Sequence, residues 1–369
     1  MSPLLTNHTI NARQFMILVT LYGIGDSILY IPEMLATDSG QDAWIASGIG
    51  FIDSFLFAYL FGKLGSRFAG ATFIQYSEIL LGKWLGKLIS VIFILFIFID
   101  TILMLYEIGD FLLTQFIPRT PIQAIIIIFL CITMQGTRVG VGPLVRASEI
   151  FIPWATILLI ILGVALLPQI NVDRLFPIFE HGLSTLWKSN AQQIGFMSEF
   201  AILLMIFANI DRPHQGTKAF ILGALLSNLV LFVLTLLAIL VLGAELTTKQ
   251  IYPGFILATR IDVGHFFTRL EAMLATIWFI TIFVKTTICF YATTVGVTQL
   301  LQLDDHRSLI LPLGVLMVPC TLLFVPNNTY YEAVISPFWT YYAFINGVLL
   351  PLLLLLIAIF WTRRQRQNL

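Results

Sequence analysis

The chain has 369 residues, 58% apolar and 11% charged, with a mean hydropathy of +0.93, a profile that excludes an ordinary water-soluble domain. Twenty Lys and Arg balance twenty Asp and Glu, so no polybasic surface for nucleic acid is expected. Cys131, Cys289 and Cys320 lie scattered in apolar stretches and the five histidines fall in termini or connecting segments, so neither a disulfide framework nor a metal site is expected.

The first apolar stretch, residues 14–36, follows a polar start and continues past Pro32 without a small-residue cleavage site, unlike a signal peptide. Its middle reads Tyr22-Gly23-Ile24-Gly25-Asp26-Ser27-Ile28-Leu29-Tyr30-Ile31-Pro32. An ionised Asp near the bilayer centre costs about 3 kcal/mol on the insertion scale. The glycines relax the helix, and Asp26 and Ser27 either cap a new helix starting at Ile28 or serve a ligand. A span broken there frees backbone N–H and C=O groups, which a membrane tolerates only around a cavity or inside protein.

Span two is expected at 43–62 and carries Asp53. Residues 71–85, with Gln75, Tyr76, Glu78 and Lys83, read as an amphipathic helix on the cytoplasmic side. Span three, 85–116, carries Asp100 and Glu107 on one helical face and Asp110 further on, a face that either lines an aqueous path or leads to the outer surface. Spans four and five are expected at 122–135 and 150–167, and six to ten at 191–210, 219–243, 266–301, 310–325 and 338–361. Span six is interrupted like span one, reading Gln192-Gln193-Ile194-Gly195-Phe196-Met197-Ser198-Glu199-Phe200, and span eight holds a lone Lys285. The aromatic residues, 13% of the chain, are expected mostly at lipid-facing or interfacial positions, with Trp278 packed in the bundle. The segments 168–190 and 244–265 are the longest outer connections and are either docking and gating surfaces or plain lids.

With the N-terminus inside, thirteen Lys and Arg fall in cytoplasmic segments and six in outer ones. This bias puts both termini in the cytoplasm. The expectation is one all-α transmembrane domain over residues 1–369, with ten helices in two inverted repeats of five, about 13–167 and 190–361. Interruptions at corresponding places in two halves point to a binding site at the midplane.

The expected ligand-binding residues are Gly23, Gly25, Asp26 and Ser27 in span one and Gly195, Ser198 and Glu199 in span six. Half-helix N-termini suit a carboxylate, and Asp26 or Glu199 suits an ammonium group, so an amino-acid-like zwitterion fits. Lys285 pairs with Asp26, Glu199 or Asp53, either as a structural lock or as a fixed cation where a related transporter binds sodium. Asp53 and Asp100 are deep enough to need a partner or a proton. No nucleophile–base pattern, P-loop or dinucleotide fingerprint occurs, so no enzymatic activity and no cofactor are expected.

Several short runs together resemble the B-subunit, permease-like family of bacterial spore germinant receptors, within the amino acid–polyamine–organocation superfamily. They are Gly25-x-Ser27-Ile28-Leu29-x-Ile31-Pro32, Asp42-Ala43-Trp44-Ile45, Leu81-Gly82-Lys83-Trp84-Leu85-Gly86 and Arg119-Thr120-Pro121-Ile122-Gln123. Further on come Leu175-x-Pro177 with Gly182-Leu183, Ser198-Glu199, Arg269-Leu270-Glu271 and Phe283-x-Lys285. Their order covers nearly the whole chain. The resemblance implies the LeuT-type fold with spans one and six broken. It also implies a nutrient-sensing role in the inner membrane of a spore, beside an A subunit and a C-subunit lipoprotein. The alternative is a proton- or sodium-coupled amino-acid symporter. Asp26 and Ser198 depart from the family's usual small or apolar residue and Gly, which marks Asp26 as a determinant of ligand preference.

Overall fold

In the computed structural model, which describes residues 9–180, 182–259 and 271–367, the chain turns from helix Ala12–Ile24 into helix Ser27–Ser39 through Gly25 and Asp26. The first helix opens on a capping box: the Asn11 side chain accepts from Gln14 N–H, and the Gln14 side chain accepts from Asn11 N–H. The two halves make span one. Span two is Ala43–Arg67, entered through the 3-10 turn Gly40–Asp42. Nine helical stretches among the described residues are long and apolar enough to cross a membrane, and one of them, Ser27–Arg67, runs on through the 3-10 turn. Dividing it at that turn, with the shorter Ala12–Ile24 completing span one, gives ten crossings.

The helix Phe73–Gln115 changes direction at Gly82, whose φ of 78° an L side chain rarely adopts. The turn separates the amphipathic helix expected before span three from the span itself. Span four is Ile122–Val139 and span five Val141–Leu166, so the two meet at Gly140 alone. Span five starts well before residue 150 because polar residues of its first turns are bonded, one within the helix and one to span one. Ser148 donates to Leu144 O (2.9 Å) and Glu149 accepts from Gln14 Nε2 (3.0 Å).

Span six begins at Leu183 rather than 191, since its polar first turns are bonded to the first half of the chain. Lys188 and Gln192 both donate to Asp38 (2.6 Å each), and Asn190 donates to Asp53 (2.8 Å). It runs as Leu183–Ser198, a 3-10 segment Glu199–Leu203 and a last turn Leu204–Phe207. Span seven is Pro213–Val241, span eight Glu271–Leu301 and span nine Arg307–Phe324. The expected start of span eight at 266–270, with Arg269 and Leu270, lies outside the described residues, as do His8, His181 and His265. Span ten starts at Asn328 and carries two π-helical segments, Tyr331–Ile335 and Ile345–Leu349, around Ser336–Phe344.

Span two packs on seven, three on eight and four on nine, and one meets five as six meets ten. The first three pairs each join a span to its counterpart in the other half, and the last two are one contact repeated within each half, the signature of an internal repeat. Outward-facing positions such as Ile128, Trp154, Leu311 and Leu323 are exposed and apolar, as lipid contact requires. The aromatic residues correct the expectation of a mainly lipid-facing role. Tyr22, Tyr76, Phe15, Phe61, Phe73, Phe93, Phe96, Phe111, Phe200 and Phe220 are among the largest fully buried side chains, packed edge-to-face or stacked between spans. Trp278 sits inside the bundle as expected, 4.4 Å from the Phe111 ring.

Candidate functional site

The interruption of span one is shaped by close approach rather than by a cap. A Cβ at Gly25 would lie 2.5 Å from Lys285 Cδ, so only glycine lets span eight come this near. The Gly25 carbonyl accepts from Thr281 Oγ1 (3.3 Å), which satisfies one of the groups that the turn frees. Asp26 makes no cap to the helix it precedes, contrary to the capping reading. Its carboxylate instead accepts from Lys285 Nζ at 2.5 Å, with Ser27 Oγ donating to the same oxygen at 3.3 Å.

Lys285 Nζ also donates to Glu199 Oε2. One buried ammonium thus joins the two interruptions, with the Tyr22 ring 5.3 Å away on its third side. Glu199 is held at its other oxygen by Trp339 Nε1 (2.7 Å), and its backbone carbonyl accepts from Tyr22 OH (3.1 Å). Tyr22 OH touches Cys289 Sγ at 3.5 Å, and the Cys289 thiol donates to Asp100 Oδ2 (3.3 Å). In so dry a place the ion triad stands only because each carboxylate has further donors.

A cavity of about 540 Å³ ends on this network. Asp26, Asp100 and Glu107 form its floor, Tyr30, Phe196 and Trp339 line its walls, and Lys188 and Lys249 stand at its mouth. At the opposite end of the bundle the way is closed. Phe15 packs edge-to-face on Phe207 and Phe220, and Ile10 pairs with Ile210 through the backbone bonds Ile10 N–H to Asn209 O (2.8 Å) and Asp211 N–H to Ile10 O (3.1 Å).

The expected site residues therefore divide. Asp26, Ser27, Glu199 and Lys285 meet in one network, and Asp26 and Asp100 also reach the cavity. Asp53 does not join them: half-buried on span two, it accepts from Asn190 and does not line the cavity. Gly23 lies within the first helix, where a Cβ would meet Phe200 and Ser227, and Gly195 lies within span six against Thr340. Span six is interrupted by the 3-10 segment and presents no free half-helix N-terminus, contrary to expectation. Ser198 Oγ bonds back to Ile194 O (2.6 Å), and the Glu199 N–H remains bonded within the helix. Asp110 is buried, accepting from Tyr252 OH (2.7 Å) of the segment 244–259, which lies over the second half of span one.

Sequence reasoning placed span ten at 338–361 but gave it no part in the site. Trp339 holds Glu199, and Tyr331 OH donates to Glu107 Oε1 at 2.6 Å. Gly347 lies so close to Ser198 that a Cβ would come within 2.3 Å of its carbonyl. The available signal was the aromatic density of 330–342, which hydropathy alone files under lipid contact. No group of three or more His, Cys, Asp or Glu among the described residues could hold a metal ion.

A family model described as "Spore germination protein" matches residues 9–329. The chain belongs to the spore germination protein family. Spore germination protein YndE of Bacillus subtilis (strain 168) is 26% identical over 362 residues, covering 96% of this chain and 97% of that protein. Spore germination protein KB of the same organism is 26% identical over 367 residues, covering 97% and 96%. Among solved structures, that of MhsT in complex with L-phenylalanine superposes with a TM-score of 0.69 at 16% identity, covering 96% of this chain and 90% of that one. The fold is thus the LeuT-type transporter fold that the resemblance implied. The chain is a multi-pass membrane protein of permease-like build, in a family of spore germination proteins.

Proposed function

We propose that this spore germination protein is the nutrient-binding, permease-like subunit of a germinant receptor. The nutrient is a small amine-bearing molecule, with amino acids the first class to test, held in the cavity between spans one, three, six and ten. The observation that carries this reading is the cavity itself, which reaches from one end of the bundle to Asp26, Asp100 and Glu107 beside the interruption of span one. Its volume lies within the usual range of small-ligand sites. The network through Lys285 ties the cavity floor to both halves of the repeat, so occupancy acts on their relative arrangement. In this reading the protein lies in the spore inner membrane with both termini cytoplasmic. An A subunit and a C-subunit lipoprotein respond to the change.

A second reading, a proton- or sodium-coupled amino-acid symporter, is favoured by the overall fold and by the capture of MhsT with L-phenylalanine. One experiment separates them. Spores carrying this receptor alone are challenged with single amino acids, amines, sugars and salts, and germination is followed as loss of optical density. A response is expected, moved to higher nutrient concentration by Glu199→Gln while the protein persists in the membrane. If no nutrient triggers germination and proteoliposomes accumulate labelled amino acid, the symporter reading replaces the receptor.

A further inference from the structure

We propose that the cavity takes an organic ammonium ion of net positive charge, with the Glu107 and Asp100 carboxyls receiving the ammonium group. This rests on the binding role proposed above and names its ligand class.

The acids that the interruptions offer are already engaged. Lys285 bonds both Asp26 and Glu199, and Trp339 occupies the other Glu199 oxygen. A ligand amine there has to displace one tethered in place. Glu107 is different. It lines the cavity at 3% exposure; its Oε1 accepts from Tyr331, while its Oε2 is buried with no hydrogen-bond partner among the described residues. A buried carboxylate oxygen without a donor is unfavourable, and a ligand N–H is the group that relieves it. Asp100, on the same face of span three and also lining the cavity, accepts only the weak thiol donor of Cys289 among the bonds described.

Charge excludes a lone anion and disfavours a zwitterion. Around the floor stand the carboxyls of Asp26, Asp100, Glu107 and Glu199, and Lys285 is the one ammonium among the described residues there. Glu33 and Glu332 add two more acids higher in the wall. The cations lining the cavity, Lys188 and Lys249, are paired with Asp38 and Glu245. Among the described residues, no unpaired side-chain cation lining the cavity therefore awaits a ligand carboxylate. The cavity is also much larger than a bare ion, and Tyr30, Phe196, Tyr331 and Trp339 line it with rings that attract organic ammonium groups.

The test uses matched pairs that differ only by a carboxylate: phenethylamine against L-phenylalanine, and butylamine against L-norvaline. Binding to the purified full-length protein in detergent is measured by calorimetry and by the shift of the thermal unfolding midpoint, at fixed ionic strength. Each amine is expected to bind at least about tenfold more tightly than its amino acid. Glu107→Gln is expected to weaken amine binding roughly 10- to 100-fold. The wild-type series decides the matter even if that variant fails to fold. Equal or tighter binding of the amino acids overturns the inference and leaves the binding role standing. Equal stabilisation by sodium or potassium chloride alone overturns it in favour of an inorganic cation. If nothing binds in either series, and neither sugars nor other amino acids bind, the binding role falls as well.

Discussion

Lys285 is 1% exposed and holds a carboxylate on each side, which makes its removal a different matter from the loss of a surface ion pair. Taking away one partner strands the others in a dry interior, at a cost of about 3–5 kcal/mol. Lys285→Ala is therefore expected to lower the unfolding midpoint sharply or to remove the protein from the membrane. The triple variant Lys285→Met, Asp26→Asn, Glu199→Gln is expected to recover most of that midpoint. An unchanged midpoint in Lys285→Ala, read by thermal unfolding in detergent, sinks the account. The three residues were legible in the sequence because charges in apolar spans are costly whatever surrounds them. Which acid meets the lysine was not. Asp53, Asp26 and Glu199 satisfy the same rule, and only the packing of spans one, six and eight selects two of them. Glu107 was visible but ambiguous, since its Tyr331 partner lies far away on span ten.

Span ten shows how an element can be placed by hydropathy and still be misjudged. Its two π-helical segments bracket Trp339, and such widened turns recur at functional sites. The second sets Gly347 against the Ser198 carbonyl. Gly347→Ala is expected to push span ten off span six, costing about 1–3 kcal/mol through overpacking, and to draw Trp339 away from Glu199. The measurement is the unfolding midpoint together with the tryptophan emission of Gly347→Ala against the same pair in Trp339→Phe. A wild-type midpoint and spectrum in the alanine variant count against the contact. Period and composition give no warning of a π segment, because one extra residue in a turn leaves an apolar run apolar. Span six misled in the opposite sense. Glycine, serine and glutamate in sequence look like an unwound stretch, but the backbone stays helical through Ser198, whose hydroxyl bonds back to Ile194 O, and the irregularity begins only at Glu199–Leu203.

At the scale of the molecule, the span count came from hydropathy, and the assignment of sides from the distribution of Lys and Arg. Access follows from neither. The cavity opens between Ala191, Thr248 and Lys249, while the other end is shut by Phe15, Phe207 and Phe220. Cysteine labelling reads this directly. In a Cys131→Ser, Cys320→Ser background, whose remaining Cys289 is buried, Ala191→Cys is expected to react with a membrane-impermeant maleimide. Phe207→Cys is expected to be protected from either side of the membrane. Rapid labelling of Phe207→Cys in the absence of nutrient contradicts the closed end.

The backbone pairing of Ile10 with Asn209 and Asp211 has a quantitative consequence for any opening at that end. Both bonds join the start of the chain to the tail of the same span that presents Glu199 to Lys285. They form a seam that is either sewn or cut. At about 0.5–1.5 kcal/mol net for each bond, the seam weights the closed arrangement by roughly 5- to 150-fold. In the receptor role proposed above, a nutrient whose preference for the open arrangement falls short of that ratio leaves the closed arrangement dominant, so the Ile10 pairing sets a threshold on the signal as well as anchoring its own segment.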